Sequence, residues 1–299
     1  MLIHFTHKVQ KGFSLIELMI AMTLGLLLIS GVVQIFLSSK QAYSTVSGSS
    51  ETLDGGRLAL HFISSSVSKG GYWGDVSFIR GYGSDETLTA TQTAGTNAPY
   101  NDSYSGRFIN NSYIFGLNND GADAGVIDGT DQFFIRFNGH DINPMTNCAG
   151  DAVNAQSVAI ERFYISIANG SERLPSLVCE TTVLILDQAT GDISLPADPE
   201  IKTQVLISGV ENMQILYGQR SLDNSTVRYY TATDVTNWTL VESLRIALLV
   251  ASSDEVNSVS RTVGYNLLDE TTSVPTDLRA RKVFERTIAM RNINYDDSE

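Results

Sequence analysis

Cysteine is nearly absent from this sequence: among 299 residues there are two, Cys148 and Cys179. Neither lies in a C-x-x-C pair and no histidine stands near them, so a structural zinc site lacks its ligands. Proline is scarce as well, six in all, and the first is Pro99. Nothing before it forces a helix to break. Basic residues are outnumbered, 20 Lys and Arg against 33 Asp and Glu, for a net charge of −13. Two of those cations, Lys8 and Lys11, precede the first long apolar run, so the remainder is more acidic still. With no Lys/Arg stripe to offset it, such a surface repels phosphate backbones, and direct nucleic-acid binding is not expected. Four histidines are present, His4, His7, His61 and His140. No Ser/His/Asp spacing or nucleophile elbow accompanies them, so no catalytic residue, no cofactor and no enzymatic activity are expected.

Charge is missing most completely from Phe13 to Leu37, where Glu17 is the single charged residue. A helix of about 25 residues rises about 37 Å, enough to cross a hydrocarbon core of about 30 Å. A carboxylate inside such a span costs several kcal/mol and so marks a function or a partner. Lys8 and Lys11 lie before the span, so residues 1–12 are expected to stay cytoplasmic and everything after Leu37 to be exported. Three readings of this N-terminus compete. A secretory signal needs a small-x-small cleavage site, and the residues around Ser38 to Ala42 fit one badly. A plain anchor explains the length but not Glu17. A signal cut ahead of the apolar run, leaving that run in the mature chain, explains both.

Gly12-Phe13-Ser14-Leu15-Ile16-Glu17-Leu18 resembles the type IV prepilin motif. The resemblance implies that a prepilin peptidase cuts after Gly12 and methylates the new N-terminal Phe13. Residues 1–12 are then a leader, 13–37 a membrane and filament-core helix, 38–70 its amphipathic continuation, and 71–299 an exported β-rich domain. A free α-amino group and a carboxylate at matching depth attract strongly in low dielectric. A neighbouring subunit's Phe13 amine can thus neutralise Glu17, so that leaving the bilayer for a filament relieves a cost.

Beyond the span, Val46, Leu53, Leu60 and Val67 recur every seven residues, with Leu58, Phe62 and Ile63 widening the stripe. This predicts one helix from Phe13 to Lys69, about 57 residues and about 85 Å long, ended by Gly70-Gly71. The alternative is a Ser-rich linker through Ser47 to Ser50 and Gly55-Gly56. Residues 72–130 read as loops with short strands at Arg107–Ile109 and Tyr113–Phe115. Clearer strands follow at Gln132–Phe137, Arg162–Ile167, Leu174–Glu180 and Val183–Leu186, the last before a turn at Thr190-Gly191. Alternation through Met213, Ile215 and Tyr217, and through Leu244, Ile246, Leu248 and Val250, marks two more. Lys282 to Asn292 is a strand or a short helix. The expected fold class is α+β and type IV pilin-like, a long N-terminal helix packed on a predominantly antiparallel β domain. In an exported body Cys148 and Cys179 can pair, closing a loop worth about 3.7 kcal/mol in the chain-entropy model. The alternative is two separate buried thiols.

Ile207 to Gly218, with its Gly209-Val210-Glu211 and Tyr217-Gly218, is similar to a "GVE…YG" segment of PilW-type minor pilins. Val241 to Leu249 resembles the strand that follows it in them, and Phe284 to Asn292 their "F…TI…RN" ending. The well-separated cysteines fit the same family. The family implies a priming complex at the pilus tip, with other minor pilins, the major pilin and a tip adhesin as partners. Twitching motility, adhesion and DNA uptake follow from such a pilus. The J-type minor pseudopilins of type II secretion share the N-terminus and the general ending and are the alternative, as is a membrane-tethered periplasmic binding module. Asn118 to Asp131 is acidic and Gly-rich, and Asp120, Asp123 and Asp128 are its weak calcium candidates. The EF-hand order fails there, since Gly116 falls where the first Asp belongs, and a solvated loop is expected.

Overall fold

A computed structural model describes residues 12–72, 112–118, 125–140, 142, 145–167, 174–186, 193–194, 200–221, 226–257, 259–260, 263–273 and 276–292. Its first element is a single helix, α1 (Leu15–Lys69), of 55 residues. It runs unbroken through Ser47 to Ser50 and through Gly55-Gly56. Compactness divides the chain between Ser47 and Gly48. Among the described residues the N-terminal unit is helix from Leu15 onward, and the body begins at Gly48.

The body carries two antiparallel sheets. The first is ordered β1 (Ile114–Leu117), β2 (Gln132–Asn138), β5 (Ser157–Ile167) and β6 (Pro175–Leu186). Both β7 (Ile193–Ser194) and β8 (Lys202–Ser208) pair with the far side of β6. Between β2 and β5 lies a small hairpin, β3 (Met145–Thr146) with β4 (Ala152–Val153). The second sheet is formed by β9 (Val210–Arg220), β10 (Val227–Tyr230), β11 (Val241–Glu255) and β14 (Arg279–Ala289), in the order β10-β9-β11-β14. A second hairpin, β12 (Gly264–Leu267) with β13 (Glu270–Ser273), packs Leu267 against Ala247 and Leu249 of β11.

One core joins the body's part of the helix to both sheets. Ala59, Leu60, Ile63 and Val67 of α1 share it with Phe133, Ile135, Phe163 and Ile165 of the first sheet and with Met213, Ile215, Leu244, Ile246 and Ile288 of the second. The rings of Phe133 and Phe163 stack at 4.9 Å between centroids. Burying each such side chain stabilises the fold by about 1.5–3 kcal/mol, so this junction holds the helix to the body.

The helix's buried face differs from the predicted heptad stripe. Leu60, Ile63 and Val67 are buried as expected, but Val46 is 69% exposed and Leu58 46% exposed. The face that docks is built of small residues, Gly48, Thr52, Gly56, Ala59 and Ser66 among them. Close approach is the reason. A Cβ at Gly48 would lie 2.7 Å from Val256 Cγ1, and one at Gly56 would enter the Phe284 ring.

Three strand expectations also change. Leu174–Glu180 and Val183–Leu186 are one strand, because Thr181 and Thr182 continue the pairing with β5. The strand expected from Arg162 begins earlier, at Ser157. The alternative of a short helix at Lys282 to Asn292 falls, since β14 pairs with β11 along its length. Arg107–Ile109 and the turn at Thr190-Gly191 lie outside the described residues.

Candidate assembly surfaces

Gly12, Phe13 and Ser14 precede α1, whose first backbone bond runs from the Leu18 amide to the Ser14 carbonyl at 3.1 Å. Phe13 is 84% exposed. Glu17 lies in the first turn, where the partial positive charge of the helix N-terminus favours a carboxylate. From Phe13 to Leu37 every large apolar side chain is exposed. Two hydroxyls of this stretch are satisfied inside the helix, Thr23 Oγ1 donating to Ile20 O at 2.9 Å and Ser30 Oγ to Leu27 O at 2.8 Å. That is how a helix carries hydroxyls through an apolar medium. An uncovered apolar surface of this extent needs lipid or other helices around it. It is long and apolar enough to cross a membrane, with a mean hydropathy of 2.3 over its most apolar window.

At its other end α1 is clamped. Gly71 adopts a φ of 73°, the left-handed conformation that stops a helix, and the Gly70 amide bonds back to Ser66 O at 3.2 Å. Asn292, beyond the last strand, donates from Nδ2 to Ser68 O at 2.9 Å and Gly70 O at 3.3 Å. These are carbonyls the ended helix leaves without intrahelical partners. Lys69 Nζ reaches Glu161 Oε1 at 3.3 Å and Thr146 O at 2.8 Å, and sits 4.5 Å above the Phe137 ring. Asn292→Ala is expected to destabilise the body by about 1–2 kcal/mol, through loss of two hydrogen bonds that leaves their half-buried acceptors poorly solvated. Chemical denaturation reads the loss, and faster amide exchange at residues 66–72 locates it.

The segment from Ile207 to Gly218 has a structural role at most of its positions. Gly209 has a φ of 86°, and a Cβ there would lie 2.5 Å from Ala251 O. Its carbonyl accepts from the Ala251 amide at 2.7 Å. Glu211 pairs with Arg281 of β14. Gln214 donates to Gly129 O at 2.8 Å and Asn212 to the same oxygen at 3.1 Å, so β9 holds the loop that leads into β2. Asp131, at the end of that loop, accepts from the Ile215 amide at 2.8 Å. Tyr217 is fully buried, and burial raises its phenol well above the usual value.

Cys148 and Cys179 are joined in a disulfide, with Cα atoms 6.4 Å apart. It ties the β3–β4 turn to β6. Asn147 Oδ1 accepts from the amides of Ala149 at 3.1 Å and Asp151 at 2.8 Å, shaping that turn. Lys202 of β8 bonds Asp151 at 2.7 Å, and this hydrogen bond, followed by that from Asn147, lowers the Asp151 carboxyl below its ordinary value. Arg162 of β5 lies against Glu180 of β6 at 3.6 Å and over the Tyr164 ring at 4.4 Å. Burial, then the Glu180 charge, pushes the Tyr164 phenol up to about 12.

Asp128 is exposed in a turn, while Asp120 and Asp123 lie outside the described residues. Among the described residues no group of three or more His, Cys, Asp or Glu is placed to hold a metal. His61 is exposed on α1, and His140 Nδ1 accepts from the Ile142 amide at 3.0 Å, closing its own turn. The Asn292 clamp, the Lys69–Glu161 pair and the glycine seam are not among the sequence expectations. The spacing of Gly48, Thr52 and Gly56 is the one signal that points to the seam, since small residues four apart share one helix face.

Comparison with known families places these features. The family model described as "Prokaryotic N-terminal methylation motif" matches residues 7–33. That described as "Type IV Pilus-assembly protein W" matches residues 162–292, from the middle of β5 to the asparagine that clamps α1. The two matches support a PilW-type type IV pilin. No curated protein matches it. Among solved structures it is similar to a type IV-like pilin from Thermus thermophilus at 16% identity, with a TM-score of 0.34 and 56% of this chain and 79% of that one covered. Type IV pilins are structural subunits, and the apolar first half of α1 suits membrane anchoring. The longer family match coincides with the residues that hold β9, β11 and β14 together and fasten them to the helix.

Proposed function

We propose that the chain is a minor pilin that helps to initiate the type IV pilus and sits at or near its tip. In this reading a prepilin peptidase removes residues 1–12 and methylates Phe13. The mature subunit waits in the inner membrane with its N-terminus on the cytoplasmic side and its body in the periplasm. It then enters a priming complex with other minor pilins, the major pilin and a tip adhesin, and so supports pilus biogenesis, twitching motility, adhesion and DNA uptake. One observation carries the reading. The uncovered apolar half of α1 opens on Gly12-Phe13 with Glu17 in its first turn, while its second half is fastened to a separately built body.

The test is the mass of the mature N-terminus. Intact-mass measurement or N-terminal sequencing is expected to find N-methylated Phe13, and a retained Met1 would reduce the span to a plain anchor. The pseudopilin alternative separates by deletion. Loss of surface pili with secretion intact is expected, and the reverse would assign the chain to type II secretion. The match to a pilus-assembly family supports the former.

A further inference from the structure

We propose that the Cys148–Cys179 disulfide is a latch that makes docking of the last turn of α1 depend on oxidation of the body. The disulfide spans 31 residues and fixes the turn between β3 and β4 to the middle of β6. Two residues before Cys148, the Thr146 carbonyl accepts a hydrogen bond from Lys69 Nζ at 2.8 Å. Lys69 is the last residue of α1. Its ammonium group also pairs with Glu161, whose carboxylate is fully buried, at 3.3 Å. The other oxygen of that carboxylate, Oε2, has no hydrogen-bond partner among the described residues. The position of Lys69 therefore decides whether a buried charge is compensated, and the β3–β4 hairpin helps to set it.

That hairpin has little else to hold it. Its strands are two residues each, and a pairing so short has no stability of its own. Val153 is its one fully buried apolar side chain, packed with Phe137 and Ala159. Its ion pair, Asp151 with Lys202, is at least one-third exposed on both sides and adds little. Half-buried Met145 of β3 packs on the same cluster, and the disulfide is the hairpin's covalent tether. Without it the hairpin loosens, Lys69 loses Thr146 and the last turn of α1 frays, while β9, β11 and β14 keep their own pairing.

Oxidation needs an acceptor, and a dithiol–disulfide exchange oxidant supplies it. The two thiols give up two protons and two electrons, one S–S bond forms, and the oxidant's disulfide becomes a dithiol. The biological sense of the latch rests on the exported body proposed above, because only there is such an oxidant in excess. A subunit is then held by both ends of its docking seam only after it has left the reducing compartment.

Amide exchange on the purified full chain in detergent tests the latch without reference to location. Reduction of the folded protein is expected to speed exchange about tenfold or more in residues 64–72 and 145–153, and to leave 241–250 and 279–289 unchanged. The Cys148→Ser/Cys179→Ser double variant should give the same pattern with no reductant, which covers poor access of reductant to Cys179. Lys69→Met in the oxidised chain should loosen 64–72 and leave 145–153 protected. Unchanged exchange at 64–72 in both the reduced chain and the double variant would overturn the proposal. So would equal acceleration throughout the body, which would make the disulfide a general brace.

Discussion

Glu211→Ala is expected to lower the stability of the body by about 3 kcal/mol, a loss of about 10 °C in melting temperature for a domain of this size. Arg281, its partner, has a side chain only 3% exposed. Glu211 holds the guanidinium with two hydrogen bonds, Nε to Oε2 at 2.6 Å and Nη2 to Oε1 at 2.8 Å. Asp277 takes the remaining face, from Nη1 at 2.5 Å and Nη2 at 2.7 Å. Burial pulls the Arg281 pKa down, but the bonds from Asp277 and Glu211 outweigh it and hold the group firmly charged. Removing Glu211 leaves that charge buried with half its compensation. Joint replacement by Glu211→Gln, Arg281→Met and Asp277→Asn should recover much of the loss, since it removes the stranded guanidinium together with both carboxylates that faced it.

The same cluster sets an acid limit. The hydrogen bond from Arg281 leads the causes that hold the Asp277 carboxyl below the usual carboxylate range; the Arg279 amide and the two positive charges add to it against the opposing effect of burial. A carboxyl whose folded pKa is depressed stabilises fully above its unfolded pKa of about 4 and loses that contribution as pH falls through the folded value. Urea denaturation at stepped pH should therefore show an acid decline that Asp277→Asn flattens. Stability unaffected by Asp277→Asn across the acid range would place the acid limit elsewhere.

How much of this is open to a reader of the sequence depends on what kind of signal each residue sends. Met213, Ile215 and Tyr217, with Leu244, Ile246, Leu248 and Val250, announce two strands by alternation, and all seven are buried. Gly12, Phe13 and Glu17 point to a processing site because their chemistry is odd for a membrane span. Charge hides the start of β5. Glu161 and Arg162 read as surface residues, yet both are buried, one facing Lys69 and the other its cross-strand neighbour Glu180. The helix misleads most. Hydrophobic periodicity ranks faces by side-chain size, whereas Gly48 and Gly56 mark the docking face by having no side chain to interpose. Asn292 is legible only as the end of the "F…TI…RN" segment; its clamp role depends on where β14 ends relative to Gly70.

For a chain processed and assembled as proposed above, Glu17→Ala is expected to leave cleavage and methylation intact and to reduce incorporation into pili at least about a hundredfold. The carboxylate is costly where it is stored. On insertion scales a charge costs up to about 3 kcal/mol, the most at mid-membrane and less in a first turn. The surrounding side chains from Leu15 to Ile20 offer Glu17 nothing polar beyond the helix N-terminus. In a filament the Phe13 amine of an adjacent subunit can approach it. At about 4 Å and an effective dielectric of about 20 that contact is worth about 4 kcal/mol, close to a thousandfold in an association constant. Alanine removes the cost of storage and the gain on assembly together, so the subunit should accumulate in the membrane, correctly processed. The measurement is the ratio of the chain in sheared pili to that in membranes, with the mass of methylated Phe13 checked in both. Glu17→Gln separates charge from polarity. It keeps the shape and hydrogen-bonding capacity of the side chain but not its charge, so charge pairing requires that it fail as alanine does. If Glu17→Gln assembles at the wild-type level, a hydrogen bond suffices and the ion pair is not what draws the subunit out of the bilayer.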